Sequence, residues 1–200
     1  LSEQDLLRRA LKDINEAGID RTRKTMSLKT ELNQILVEQL VKKTKEDIAK
    51  GIAVEIFSFS PGLLTPRFGN DEGLKMKQGQ WKRKIRPCDD FRFSLLNKAT
   101  HVPEKVGYQG LDFITKIAQT MYQHGHNELS FLGEDFVSAY NTLGIAEEHL
   151  PFARVVCPDV DNPDRECPSS PMFVQLFALP FGATSSVYGW HRFGDCIQRI

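Results

Sequence analysis

Apolar positions recur first at helical and then at alternating spacing, and the change falls near residue 51. Residues 1–50 are predicted helical. Ser2 and Asp5 stand at capping-box spacing, with Asp in place of the usual Glu, and Gly18 is placed to stop the first helix. From Leu28 onward, Leu32, Ile35, Leu36, Leu40 and Val41 recur as one helical face. Thr44 and Asp47 repeat the box spacing, and Gly51 is placed to end that short turn. Next, "IAVEIFSFS" alternates in part, which predicts a strand before Pro61, Gly62 and Pro66 break the pattern.

The second half alternates between the two periods. Residues 105–124 predict a helix after Gly110, with Leu111, Ile114, Ile117 and Met121 near one face. "FLGEDFVSAYNTLGI", residues 131–145, reads as a buried strand, because Asp135 has apolar residues on both sides. A charge there is costly unless something pairs with it. "AEEHLPFA" predicts a short helix or turn, and residues 154–179 read as strand, polar turn, strand. The closing "PFGATSSVYGWHRFGDCIQRI" is a turn feeding a helix that starts near Ala183 or Thr184. The expected class is α+β.

The chain has 200 residues, about one domain with an appendage. At 40% hydrophobic and 26% charged residues it can bury a core. Lys+Arg and Asp+Glu both number 26, so overall charge does not indicate a polyanionic partner. No segment is apolar for long enough to span a membrane, and the charged N-terminus lacks a signal-peptide core. Cys88, Cys157, Cys167 and Cys196 form no CxxC pair, which leads to the expectation of a reduced, intracellular protein.

The charge is uneven locally. Within residues 74–91, Lys75, Lys77, Lys82, Arg83, Lys84 and Arg86 precede the first acid, Asp89. Two readings stay open: a plain solvated hairpin, and a phosphate-binding surface with Trp81 as a stacking element. Strand alternation would put Lys82, Lys84 and Arg86 on one face of a two-stranded finger. His124 and His126 are read as a polar helix end rather than a metal site.

Three motifs, in order, resemble the reverse transcriptase domain of a retroelement. "IRPCDDFRFSLLNKAT", residues 85–100, resembles the fingers motif, a basic residue followed by D-F/Y-R-x-L-N-K, with two extra residues between Arg92 and Leu96. "DFVSAY", residues 135–140, resembles motif A, D-x-x-x-A-Y. "LPFGATSSVYGW", residues 179–190, resembles motif B, in which L/M-P-F/Q-G leads into a helix. The resemblance covers about residues 44–200 and leaves residues 1–43 as a helical extension. It implies a right-hand polymerase architecture. Fingers would span about 44–98 and 143–178, and a partial palm about 99–142 and 179–200.

The resemblance also implies a chemistry and a set of roles. Nucleotidyl transfer in such enzymes uses two metal ions, Mg²⁺ or Mn²⁺, held by carboxylates between the primer 3′-oxygen and the triphosphate. By this resemblance Asp135 is the catalytic carboxylate and metal ligand, and the Phe136 carbonyl adds a second oxygen. The competing reading of Asp135 is a cap on the turn after Gly133. Tyr140 would lie under the incoming sugar and exclude a 2′-hydroxyl; its bland reading is a core tyrosine. Gly182 would permit close backbone approach, Phe181 would pack on the nascent pair, and Arg86 would contact the triphosphate. Lys75 or Lys77 would be a second phosphate contact, and Lys82 and Lys84 would belong to the nucleic-acid surface.

The expected partners are a primed RNA or DNA template and a dNTP. No paired aspartates of the later motif C follow Gly182 before Ile200, so these residues alone are expected to be inactive. Two alternatives stand beside this reading. One is a non-catalytic, domesticated reverse-transcriptase-like module that binds nucleic acid. The other is an RNA-templated RNA polymerase, against which Tyr140 argues.

Overall fold

Helix α1 (Glu3–Ser27) opens with the expected capping box. Ser2 Oγ accepts from the Asp5 amide at 3.2 Å, and the Asp5 carboxylate accepts from the Ser2 amide at 3.3 Å. The structure, a computed structural model, describes residues 2–57, 62–102, 105, 107, 111–130, 136, 138–159 and 170–198. Gly18 does not stop α1. It is buried mid-helix against the start of strand β2 (Leu64–Lys77), where an added Cβ would stand 3.5 Å from Pro66 Cγ. Its small size serves helix–strand approach rather than a cap. Asn15 ties the same contact: its amide donates to the Gly62 carbonyl at 3.0 Å, and its oxygen accepts from the Leu64 amide at 2.8 Å.

Helix α2 (Glu31–Ala49) is capped at Thr30, whose hydroxyl accepts from the Asn33 amide at 3.3 Å. Thr44 is not a cap. It is buried within α2 and donates to the Leu40 carbonyl at 3.0 Å. Val37, Leu40 and Val41 form the buried face, and the chain leaves α2 through Gly51 at φ +74°.

Strand β1 (Ala53–Glu55), β2, β3 (Gln80–Asp89), β4 (Arg154–Cys157) and β5 (Met172–Leu176) form one sheet in the order β1-β5-β4-β2-β3. β2 and β4 run parallel; the other neighbours are antiparallel. Successive residues of β2 serve opposite faces: Pro66 meets α1, while Arg67 reaches Thr44 and Asp47 of α2. Val155, Cys157, Met172, Val174 and Leu176 form the core with Ala53 and Ala153, and Ile48 of α2 packs on it. Burial pushes the Cys157 thiol up to about 12, so it stays protonated. The strand–turn–strand reading of residues 154–179 is met in β4 and β5; most of its turn, with Cys167, lies outside the described residues.

Helices α3 (Leu96–Ala99), α4 (Leu111–Gln123) and α5 (Thr184–Gln198) complete the α+β chain. α4 and α5 stand where the apolar pattern predicts them, but the apolar face of α4 is open, with Ile114, Ile117 and Met121 all exposed. No helix among the described residues is long and apolar enough to cross a membrane.

The strand predicted for residues 131–145 is not found among its described residues. Asp135 lies outside them. Phe136 is 44% exposed, Ser138 takes φ +57°, and Ala139–Thr142 is one 3-10 turn. The backbone bonds here are local, Asn141 N–H to the Ser138 carbonyl at 2.8 Å and Leu143 N–H to the Tyr140 carbonyl at 3.2 Å. A strand needs a neighbour to take its backbone groups. Among the described residues, such pairing is seen where Ile145 N–H meets the Phe177 carbonyl and Leu179 N–H the Leu143 carbonyl, both at 2.9 Å.

Candidate active site

The basic run folds as the two-stranded finger. β2 and β3 turn through Gln78 and Gly79, at φ +51° and +76°, the left-handed pair that a two-residue hairpin favours. Lys75 stands opposite Lys82 and Lys77 opposite Gln80, so these lysines occupy the outer end. Lys84 and Arg86 lie nearer the sheet, where they line a cleft of about 640 Å³.

The run is less basic than its sequence. The ladder is irregular between Asp71 and Leu74, and two acids there face β3. Asp71 pairs with Arg83. Glu72 accepts from Lys84 Nζ and Arg86 Nε, both at 2.8 Å, and from Lys75 Nζ at 3.4 Å. The Lys84 hydrogen bond, with help from Lys75 and Arg86, holds the Glu72 carboxyl below its ordinary range.

Residues 85–100 and 179–190 are locked together. Asp90 O accepts from Ser94 N–H at 3.3 Å and Asp90 Oδ1 from Phe93 N–H at 3.0 Å, and Leu95 takes φ +63°. This turn absorbs the extra residues before Leu96. It delivers Asn97 to the Pro180–Gly182 turn, where its amide donates to the Gly182 carbonyl and its oxygen accepts from the Thr184 amide, both at 2.8 Å. Asp89 N–H donates to the Phe181 carbonyl at 3.0 Å. Gly182 takes φ +104°, and an added Cβ would stand 2.2 Å from the Asp89 carbonyl oxygen. Its missing side chain thus admits the end of β3.

The clamp sets the aromatic wall of the cleft. Phe181 meets the Tyr140 ring edge-on at 4.9 Å, and the Arg86 guanidinium lies 5.2 Å from the Phe181 centroid. Trp190 of α5 stands edge-on to Phe136 at 5.2 Å and to Tyr140 at 6.5 Å. Of the residues singled out in the sequence, Lys84, Arg86, Phe136, Tyr140 and Phe181 share this cleft. Lys75, Lys77 and Lys82 do not line it, Gly182 meets Asp89, and Asp135 lies outside the described residues.

Beneath the cleft is a buried ion pair that the motifs did not flag. Arg67 and Asp89 are opposite in register, with side chains 5% and 1% exposed. Arg67 Nε donates to Asp89 Oδ1 at 2.7 Å and Nη2 donates to Oδ2 at 3.2 Å. Nη1 donates to Thr44 Oγ1 at 3.3 Å and to Asp47 Oδ2 at 3.5 Å. Burial works against the charged guanidinium, but Asp89 outweighs it and holds the Arg67 pKa above its ordinary value. Burial raises the Asp47 carboxyl, an effect that Arg67 partly offsets. One sequence signal was available: Asp89 shares strand parity with buried Ile85, and an inward charge needs a partner.

These acids do not make a magnesium site. Asp47 and Asp89 are committed to Arg67, and Glu46 to Lys43 at 2.7 Å. Among the described residues no three His, Cys, Asp or Glu side chains come together. Besides Arg67, Lys43, Lys50 and the acids Glu46, Asp47 and Asp89, the cleft presents Lys84 and Arg86 beside an aromatic wall, which suits a ligand with phosphate at one end and a flat ring at the other. No protein-family model matches this chain, and no curated protein matches it in sequence.

Proposed function

We propose that this chain supplies fingers and part of the palm of a reverse-transcriptase-like, intracellular DNA polymerase, and that the cleft receives the incoming deoxynucleoside triphosphate. One observation carries the reading: Arg86, Tyr140 and Phe181, one from each of the three motifs, line a single cleft. In this reading Arg86 and Lys84 meet the triphosphate, Phe181 backs the base, and the Tyr140 ring fills the space beside C2′. Asp135, next in sequence to Phe136 at the cleft wall, is the proposed ligand of Mg²⁺ or Mn²⁺, with the Phe136 carbonyl beside it. The ion would stabilise charge on the transferring phosphoryl group. The described residues bind, orient and exclude.

The hairpin beyond the cleft then lies against the phosphates of a primer–template. Binding should be salt-dependent, and each lost phosphate contact should lower the slope of log K against log salt by about 0.7–0.9. Lys75→Gln, Lys77→Gln and Lys82→Gln, at the outer end of the hairpin, titrated with a labelled primer–template at several salt concentrations, should each weaken binding and flatten that slope. Unchanged affinity and slope in all of them would leave the hairpin as a solvated surface. A non-catalytic nucleic-acid-binding module shares this expectation and parts from a polymerase on dNTP incorporation.

A further inference from the structure

Glu72 sits where the β2–β3 ladder is irregular, beside Gly73 at φ +80°. Its side chain is 18% exposed, against 40–53% for its partners Lys75, Lys84 and Arg86. The two carboxylate oxygens divide these cations: Oε1 takes Arg86, and Oε2 takes Lys84 and Lys75. Three cationic groups converging on one small anion make an anion site with its anion already in place. Two of them, Lys84 and Arg86, also line the cleft.

We propose that Glu72 is a built-in competitor for the phosphate subsite of the cleft: it occupies Lys84 and Arg86 in the free protein and must leave before a polyphosphate binds. This rests on the reading that Arg86 and Lys84 meet phosphate. Three observations make the exchange physically reasonable. The pairs are partly exposed, and such pairs contribute little to stability, so a ligand of higher charge displaces the carboxylate. Arg86 also lies over the Phe181 ring, at 5.2 Å from its centroid, a contact that does not involve Glu72. The hydrogen bond from Lys84, with Lys75 and Arg86, holds the Glu72 carboxyl below its ordinary range, so the resident group is an anion like the phosphate it competes with. The consequence is selectivity. A single phosphate barely outbids the resident carboxylate, whereas a triphosphate does.

The test is calorimetric titration of inorganic triphosphate into the whole chain, without divalent ions, at low and high salt. Glu72→Gln should bind about five- to tenfold more tightly at low salt, the size expected of one contacting unit charge in a largely aqueous dielectric. The gain should shrink at high salt. Asp71→Asn, which removes the neighbouring acid that pairs with Arg83, should leave affinity unchanged. Arg86→Gln should weaken it, and thermal unfolding of each variant checks the fold. Weaker binding by Arg86→Gln with no gain from Glu72→Gln would overturn the competitor and leave the subsite standing. An equal gain from Asp71→Asn would also overturn it, as a general charge effect. No triphosphate binding by any of these proteins, or no loss on Arg86→Gln, would remove the subsite and the competitor together.

Discussion

Asp89→Ala is expected to destabilise the protein by about 3–5 kcal/mol, because it strands a buried guanidinium. Arg67 has a 5% exposed side chain and loses both bonds to Asp89. Asp47 is its remaining carboxylate, at 3.5 Å, so the loss should fall toward the lower end of that range. Replacing both partners by apolar residues, Arg67→Met with Asp89→Leu, should recover most of the loss, since no buried charge then lacks a partner. Urea unfolding of the single and double variants makes the comparison. A loss below about 1 kcal/mol for Asp89→Ala would mean that water reaches this pair as it reaches a surface pair.

Gly182→Ala is the second large effect, with an expected loss of about 3 kcal/mol or more from backbone strain and overpacking combined. At φ +104° an L-residue is strained, and its Cβ would stand 2.2 Å from the Asp89 carbonyl oxygen. Relief requires the Pro180–Gly182 turn to move away from β3, which breaks the Asp89–Phe181 backbone bond and the two Asn97 bonds. Gly51→Ala is the control. It shares a positive φ, +74°, but nothing stands within 4 Å of its Cβ position, so strain alone should cost about 1–2 kcal/mol. Equal losses at the two sites, in the same urea titrations, would show that the turn yields without effort.

The parts of the fold legible in the sequence are those that local periodicity specifies. The capping box of α1, the apolar faces of α2 and α4, the turn of the basic hairpin and the separate strands β4 and β5 all rest on residues within a few positions of one another. The misreadings share a different cause. Gly18 looks like a stop until β2 lies against it, and Thr44 looks like a cap until Arg67 needs an acceptor in mid-helix. Ala139–Thr142 continues a strand-like composition but forms a 3-10 turn, because its backbone groups find partners locally.

The candidate site was legible as a set of residue types and not as a geometry. Arg86, Tyr140 and Phe181 could be named from the resemblance, yet Asn97, which ties the turn after β3 to the Pro180–Gly182 turn, could not be assigned that work without the turn at Leu95. Nor does a window that starts at Leu74 contain Asp71 and Glu72, which temper the basic run once the hairpin closes. Register across many residues decides such contacts, and composition does not encode it.

If this cleft selects a deoxynucleoside triphosphate for template-directed addition, sugar choice should depend on Tyr140. The measurement is the ratio of kcat/KM for dNTP and rNTP, made on the natural protein that carries this chain, with a primed template. Tyr140→Ala should shift the ratio toward ribonucleotides by about one to two powers of ten, the rate equivalent of relieving ~1–3 kcal/mol of overpacking. Tyr140→Phe keeps the ring and should keep the ratio. Asp135→Asn should abolish incorporation of both substrates. An unchanged ratio in Tyr140→Ala, or full activity in Asp135→Asn, would contradict the account and leave Tyr140 as a packing residue between Phe181 and Trp190.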